Sequence, residues 1–149
     1  MNNCISLTAE IAALVRGSNG VPADLLGPVP DRQVARAERE LRVTFPPSFR
    51  AFLRQFGGGF LFDYEFLGLA EEPGHWLDIV QMNRAPRPKI PRHLVMFIYA
   101  GGNCAFYLDT SQRDATGECK VVVFGPGEDG IPVADSFMDF LQKAKDGLV

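Results

Sequence analysis

The sequence is poor in the residue types from which most catalytic and metal sites are built. Its 149 residues include two histidines, His75 and His93, and three cysteines, Cys4, Cys104 and Cys119. Neither histidine has a cysteine or a second histidine at ligand spacing, which argues against a zinc site. The odd cysteine count and the lack of a CxxC pair argue against a disulfide framework and predict a reducing compartment. We expect no metal and no cofactor.

Signals for catalysis are also missing. No serine lies in a GxSxG motif, and Cys104 begins a strand-like segment, so we interpret it as a packing residue. The glycines at 57–59 follow a helical segment and no GK[ST] is present, which predicts a helix C-terminus and not a phosphate loop. The sequence therefore favours a protein that is not an enzyme. The less favoured alternative is a small enzyme or ligand-binding domain with a pocket near Asp109 and Cys104.

The chain has no apolar run long enough to span a bilayer, and residues 1–4 lack the basic start of a signal peptide. We therefore expect a cytoplasmic protein. The net charge of −3 does not favour wrapping nucleic acid, whose binding proteins usually carry a basic face. Together these absences predict that neither nucleic acid nor a membrane is the partner.

What is present suits one hydrophobic core. Apolar residues make up 46% of the chain and aromatic residues 11%, which is enough for a domain of this length without disulfides. Apolar residues at helical spacing predict helices within 7–15, 34–41, 49–56, 76–83 and 137–144. Ser6 or Thr8 is the expected N-cap of the first helix, Asp31 that of the second, and Asp135 or Ser136 that of the last. Residues 17–30 are predicted to form a loop.

Strand signals begin at residue 60 and continue through the second half of the chain. Alternation over residues 60–66 predicts a strand or a short hairpin, and β-rich runs follow at 94–99, 104–108 and 120–124, with a short extended piece at Val133. Glycine-rich turns at 100–103 and 125–127 connect these runs. Antiparallel neighbours joined by short turns favour an α+β fold in a single domain, with a central, mostly antiparallel sheet flanked by helices.

Charge is arranged in blocks along the chain. Residues 63–82 contain five acids and no lysine or arginine, whereas residues 83–93 contain four bases and no acid. Such blocks favour a docking surface, although an ordinary solvated surface explains them about equally well. The basic segment 84–92 holds three prolines. We interpret it first as a solvated connector and second as a partner contact.

Exposed acids and the aromatic residues near them are the candidates for contact with a partner. Tyr64 and Trp76 are the aromatic candidates, because such residues often become hot spots. Asp63 and Glu65 are two residues apart, which puts both carboxylates on one face of a strand. The complete set of partner-binding candidates is Asp63, Tyr64, Glu65, Glu71, Glu72, Trp76, Glu128 and Asp129.

Three blocks of the sequence, taken in order, resemble the SUKH superfamily, which includes a yeast cell-wall assembly regulator and many bacterial immunity proteins. The resemblance is carried by Glu38, Leu41, Phe45-Pro46, Phe49, Phe52-Leu53, Gly57-Gly58 and Phe66-Leu67-Gly68-Leu69, then by Gly101-Gly102-Asn103, Phe106, Leu108 and Asp109, and finally by residues 120–124, Ser136-Phe137 and Phe140-Leu141. Arg42 stands where the family usually has glycine, and the segment 84–92 has no counterpart in the family pattern.

The resemblance implies a single SUKH-like domain over residues 1–149, with a family-like core at 31–142 preceded by a helix and loop extension at 1–30. It also implies a protein-binding module, namely an immunity protein that neutralises a cognate nuclease or deaminase toxin by direct binding. The family has no established catalytic residues to assign to this chain. A regulatory scaffold without a toxin partner remains the alternative.

Overall fold

The computed structural model describes residues 3–16, 24–70, 77–85, 87 and 90–149, with the side chains of the first range placed from Leu7 onward. The helices in these ranges are α1 (Asn3–Arg16), α2 (Asp31–Leu41), α3 (Pro47–Phe56), α4 (Ile79–Arg84) and α5 (Phe137–Lys145). The strands are β1 (Asp24–Leu25), β2 (Gly59–Leu61), β3 (Tyr64–Phe66), β4 (Leu94–Gly101), β5 (Cys104–Arg113), β6 (Cys119–Gly125) and β7 (Glu128–Ala134).

The seven strands form one sheet in which each strand pairs antiparallel with the next along the chain. Because neighbouring strands alternate in direction, the turns at 62–63, 102–103 and 126–127 all lie at the same end of the sheet. We call this the hairpin end. The α+β class and the antiparallel sheet predicted from the sequence are confirmed.

Phenylalanine side chains dominate the core between the helices and the inner face of the sheet. Phe49 and Phe52 lie on one face of α3, and their rings contact Phe137 of α5 with centroids 5.0 and 5.3 Å apart. Burying each such ring stabilises the fold by ~1.5–3 kcal/mol. The completely buried phenylalanines are Phe45, Phe49, Phe52, Phe66, Phe97, Phe137 and Phe140.

The glycines after α3 end that helix, as the sequence predicts. Gly57 caps α3 with a φ of 73°, a left-handed conformation that favours glycine. Its carbonyl then accepts a hydrogen bond of 2.7 Å from the amide of Leu69. Gly68 packs so close to this carbonyl that a Cβ on Gly68 would lie 1.7 Å from the Gly57 oxygen. These glycines therefore serve a tight backbone contact and not phosphate binding.

Two of the predicted helix starts are wrong. Helix α1 begins at Asn3, so Ser6 and Thr8 lie inside it and neither is its N-cap. The N-cap of α2 is Pro30, and Asp31 is the first helical residue, whose carboxylate pairs with Arg54 at 3.2 Å. Ser136 is confirmed as the N-cap of α5, since its Oγ accepts a hydrogen bond of 3.0 Å from the amide of Asp139.

Two segments predicted from the sequence to be a loop and a solvated connector contact the sheet directly. Asp24 and Leu25, in the predicted loop at 17–30, pair with β2 as a short edge strand. In the basic segment, Arg87 lies over the ring of Tyr107 at 5.9 Å from its centroid and donates a hydrogen bond of 3.1 Å to Oδ1 of Asn83. Arg87 therefore packs against the outer face of the sheet and is not part of a solvated connector.

Candidate protein-binding surface

A row of residues crosses the outer face of the sheet near the hairpin end, and we call it the outer row. Direct pairing joins the members on β1, β2 and β3, and separately those on β4 to β7. Phe66 on β3 pairs with Ile98 on β4, so Glu65, one residue before Phe66, lies opposite Tyr99, one residue after Ile98. Paired residues point to the same face, and strands lie ~4.8 Å apart, so the row spans about 29 Å. Its members are Asp24, Phe60, Glu65, Tyr99, Ala105, Phe124 and Asp129.

The outer row is acidic. Asp24, Glu65 and Asp129 are exposed, and Asp63 and Glu128 lie beside them at the hairpin turns. No lysine or arginine occurs in residues 59–66, 98–107 or 121–131. Within the described ranges, none of these five carboxylates forms an ion pair. The surface therefore has a negative potential that is free to attract a basic partner.

Tyr99 provides the exposed aromatic ring of the outer row, with 50% of its surface accessible. A β-bulge between Met96 and Ile98 turns both Phe97 and Ile98 toward the core, so Tyr99 points to the outer face. Strict alternation would have placed Tyr99 on the same face as Phe97. Tyr99 is not among the residues predicted from the sequence to bind a partner, because nothing in this run of apolar residues signals the bulge.

The hairpin turn separates two acids that the sequence analysis placed together. Asp63 is the second residue of the turn, with a φ of 66°, whereas Glu65 lies on β3. The prediction that both carboxylates share one strand face is therefore wrong, because Asp63 precedes the strand. Both side chains are exposed at the hairpin end.

The aromatic candidate Tyr64 belongs to the inner face. Its ring contacts Phe106 and Phe140 with centroid distances of 5.6 and 6.1 Å. Burial, together with the nearby Cys104 and Asp63, raises the pKa of Tyr64. Tyr64 is half-buried and lies on the opposite face of the sheet from the outer row.

The remaining candidates fall into two groups. Glu128 and Asp129 are the first residues of β7, and both are exposed at the hairpin end, four strand spacings or ~19 Å from Glu65 on β3. The structure thus places four acids from two separate regions of the chain at the same end of the sheet. The other predicted contacts, Glu71, Glu72 and Trp76, lie outside the described residues, and their role stays a prediction.

Asp109 and Cys104 do not form a common pocket. Cys104 is the first residue of β5 and Asp109 lies in the middle of the strand, five residues further on, which corresponds to ~16 Å. Asp109 accepts hydrogen bonds from the Ser111 amide, from Ser111 Oγ and from Gln112 Nε2. Burial alone raises the pKa of Asp109, but these hydrogen bonds and the nearby His93 outweigh it and hold that pKa below its usual value. Asp109 is thus an ionised structural carboxylate.

The thiol of Cys119 is completely buried, and burial raises its pKa to about 11. A thiol with this pKa is protonated at neutral pH and is a poor nucleophile. In the described part of the chain, no three His, Cys, Asp or Glu side chains come together to hold a metal ion. None of the described helices is long and apolar enough to cross a bilayer.

These features define a class of protein: a single α+β domain with a seven-stranded antiparallel sheet, a phenylalanine-rich core and one acidic outer surface. Within that class the chain belongs to the SMI1/KNR4 family (SUKH-1), whose family model matches residues 28–143. The match runs from just before α2 into α5 and confirms the resemblance found in the sequence. A comparison with curated proteins gave no match.

Proposed function

We propose that this protein is a binding module of the immunity type, which neutralises a cognate bacterial nuclease or deaminase toxin in the cytoplasm by direct contact. In this role the chain acts by binding and performs no catalysis of its own. Its membership of the SUKH-1 family supports the proposal, since many relatives are immunity proteins. The observation that carries it is the outer row, with its unpaired carboxylates and one exposed tyrosine.

Electrostatic complementarity is the physical reason for choosing a nucleic-acid-processing toxin. Such a toxin holds its substrate in a basic groove, so carboxylates spread over about 29 Å suit that groove better than they suit an acidic or apolar partner. Complementary charge also accelerates association, which matters when the toxin must be blocked before it acts. The exposed ring of Tyr99 provides the apolar anchor near the middle of the row.

Affinity capture followed by a toxicity assay tests the proposal. The tagged protein is used to capture partners from a lysate of the organism that encodes it, and the recovered protein is expressed alone from an inducible promoter. We expect the recovered protein to stop growth, and co-expression of this chain to restore it. A stoichiometric partner that is harmless when expressed alone would instead support the alternative, a regulatory scaffold without a toxin.

Charge reversal maps the contact surface once the partner is known. We expect Glu128→Lys with Asp129→Lys, and separately Asp63→Lys with Glu65→Lys, to weaken binding about tenfold or more, because each pair adds repulsion against a basic groove. Asp135→Lys is the matched control, since Asp135 is exposed beyond the far end of β7. Equal affinity for all of these variants would remove the acidic hairpin end from the interface.

The aromatic candidates are tested in the same assay. Tyr99→Ala is expected to cost about 2 kcal/mol of binding energy without unfolding the protein, since its side chain is half exposed. Glu71→Lys with Glu72→Lys, and separately Trp76→Ala, test the segment between β3 and α4. If only the variants at Glu71, Glu72 and Trp76 lose binding, the interface lies on the segment between β3 and α4 and not on the outer row.

A further inference from the structure

A cleft of about 800 Å³ lies at the end of the sheet opposite the hairpin turns. Its walls are the C-terminal ends of α2 and α4 and the neighbouring ends of β4 and β5, near the pair Leu94–Asp109. Leu41, Val43 and Val95 form an apolar part of the wall. This volume is within the range of sites for small ligands. The cleft lies at the other end of the sheet, although its Arg87 lies over Tyr107, whose ring contacts Phe124 of the outer row with a centroid distance of 5.3 Å. The role of the cleft does not rest on the function proposed for the outer row.

Positive charge is concentrated in this cleft. Five guanidinium groups face one carboxylate, Glu40, which leaves a net charge of +4 in a protein whose overall charge is −3. Glu40 is already paired with Arg36 at 3.7 Å. No ion pair joins any of the five arginines to an acid in the part of the chain that the structure describes. The cationic side chains are Arg42, Arg84, Arg87, Arg92 and Arg113, with His93 beside them.

Two of the arginines are fixed by the protein itself. Arg87 donates to Oδ1 of Asn83 and lies over the ring of Tyr107. Arg113 donates to the carbonyls of Thr110 and Gly117, each at 3.1 Å, and to the carbonyl of Thr44. These contacts hold both guanidinium groups in place before any ligand arrives, which reduces the entropy cost of binding.

The other three arginines, Arg42, Arg84 and Arg92, are exposed, and their guanidinium groups make no hydrogen bond to the described residues. Their donors are therefore available to a ligand. Helix C-termini favour positive charge, which accounts for Arg42 at the end of α2 and Arg84 at the end of α4. No helix end accounts for Arg87 and Arg92.

Crowding these cations has an electrostatic cost. Burial lowers the pKa of Arg87, Tyr107 partly opposes this effect, and the positive charge of Arg92 lowers the pKa again, so Arg87 and Arg92 repel each other in the free protein. An anion placed between them would remove this repulsion. Guanidinium groups bind phosphate oxygens through two parallel hydrogen bonds, which is the geometry that several arginines around one cavity provide.

We propose that the arginine cleft binds a small molecule that carries a diphosphate or triphosphate group. A triphosphate has a charge of about −4 and a diphosphate about −3 at neutral pH, since each phosphate contributes roughly −1 to −2. Either charge is close to the +4 of the cleft. The apolar wall formed by Leu41, Val43 and Val95 leaves room for an organic group attached to the phosphates.

Isothermal titration calorimetry of the full chain tests this site with three probes: inorganic tripolyphosphate, ATP, and an unphosphorylated peptide of consecutive glutamates. We expect both phosphate compounds to bind, with an affinity that falls as salt is added. Tighter binding of ATP would identify a nucleotide-like ligand, and equal binding would identify inorganic polyphosphate. Both results support the proposal.

Arg84→Glu with Arg92→Glu is the decisive variant, and its expected effect is a loss of affinity for tripolyphosphate of about tenfold or more. Both side chains are exposed and unbonded, so the variant is expected to fold, and circular dichroism verifies this. Arg16→Glu is the matched control, because Arg16 is exposed on α1, which does not line the cleft. The affinity of this control variant for tripolyphosphate should differ from that of the natural protein by less than about twofold.

Three results would overturn the proposal. The first is no binding of either phosphate compound at about 1 mM, where even a weak site would be detected. The second is equal affinity of the double variant and the control. The third is binding of the glutamate peptide without binding of the phosphates, which would assign the cleft to an acidic protein segment.

Discussion

Asn83 shows how one buried polar side chain replaces part of a β-strand. Strand β3 is short, so the edge of β4 at Met96 has no strand partner on that side. The Asn83 amide takes this place: its Oδ1 accepts from the Met96 amide at 2.8 Å, and its Nδ2 donates to the Met96 carbonyl at 2.9 Å. A primary amide can do this because it has the same donor and acceptor as a peptide group. Asn83 thereby connects α4 to the sheet beside the arginine cleft.

Replacing Asn83 by alanine is expected to lower the free energy of unfolding by about 2 kcal/mol, because the partly buried amide and carbonyl of Met96 lose their partner. Urea unfolding followed by circular dichroism measures the change. Gln81→Ala on the same helix is the control and should cost less than about 0.5 kcal/mol, since Gln81 is exposed. Equal stabilities of the two variants would show that Asn83 is not a structural link.

The sequence placed Asn83 on a short helix, and the structure confirms that helix as α4. Its contact with Met96 was not predictable, because it joins positions 13 residues apart through a strand edge whose exposure depends on the length of β3. Propensity and periodicity report on neighbours within a few residues and contain no information on such a partner.

At the scale of elements, the start of α3 depends on a residue far away in the chain. The N-cap of α3 is Pro46, which offers no side-chain acceptor for the free amides of the first turn. Glu118, from the turn between β5 and β6, provides the acceptor instead. Its carboxylate accepts from the Ser48 amide at 2.9 Å and from Ser48 Oγ at 2.6 Å. A negative charge there also interacts favourably with the helix dipole.

We expect Glu118→Ala to destabilise the protein by ~1–2 kcal/mol, which is the usual cost of losing an N-cap acceptor. Thermal unfolding should show the loss, and Glu118→Gln should lie between the alanine variant and the natural protein because it keeps one acceptor but loses the charge. Glu128→Ala serves as the control, since Glu128 is exposed and contacts no helix end. Unchanged stability of Glu118→Ala would mean that water caps α3 equally well.

At the scale of the whole molecule, the fold includes a helix that the family match does not cover. The match begins at residue 28, whereas α1 ends at Arg16. Yet Ile11 is completely buried and Leu14 and Val15 nearly so, in the same core as the phenylalanines. The division of the chain into an extension at 1–30 and a core at 31–142 stays a prediction.

Ile11→Ala is expected to cost about 3 kcal/mol, because it removes a fully buried side chain and leaves a cavity. For a chain of this length the loss corresponds to a decrease of about 10 °C in the melting temperature, measured by calorimetry. Ala13→Ser, on the exposed side of α1, should change stability by less than about 0.5 kcal/mol. A melting temperature equal to that of the control would show that α1 is not part of the cooperative fold.

Charge also has a pattern at this scale. Unpaired acids gather at the hairpin end, and arginines gather in the cleft at the opposite end of β4 and β5. The sequence shows the acidic block at 63–82 and the basic block at 83–93 but does not place them in the fold. Of the acidic block, Asp63 and Glu65 lie at the hairpin end, whereas Asp78 caps α4. The separation of Asp63 and Glu65 from the arginines of the cleft follows from the antiparallel pairing, which sends successive turns to opposite ends of the sheet.

The sequence by itself determined the fold class, the helices and the absence of common catalytic motifs. Helical spacing in α2, α3 and α5 and the turn glycines at 57, 102 and 127 are local features, set by backbone geometry over a few residues. Tertiary structure alone decided which residues share a surface. The bulge beside Phe97 turned Tyr99 outward, the turn at Phe62 separated Asp63 from the strand of Glu65, and long-range pairing brought Arg42 and Arg113 together. Register and pairing are properties of the whole sheet, so no local pattern in the sequence contains them.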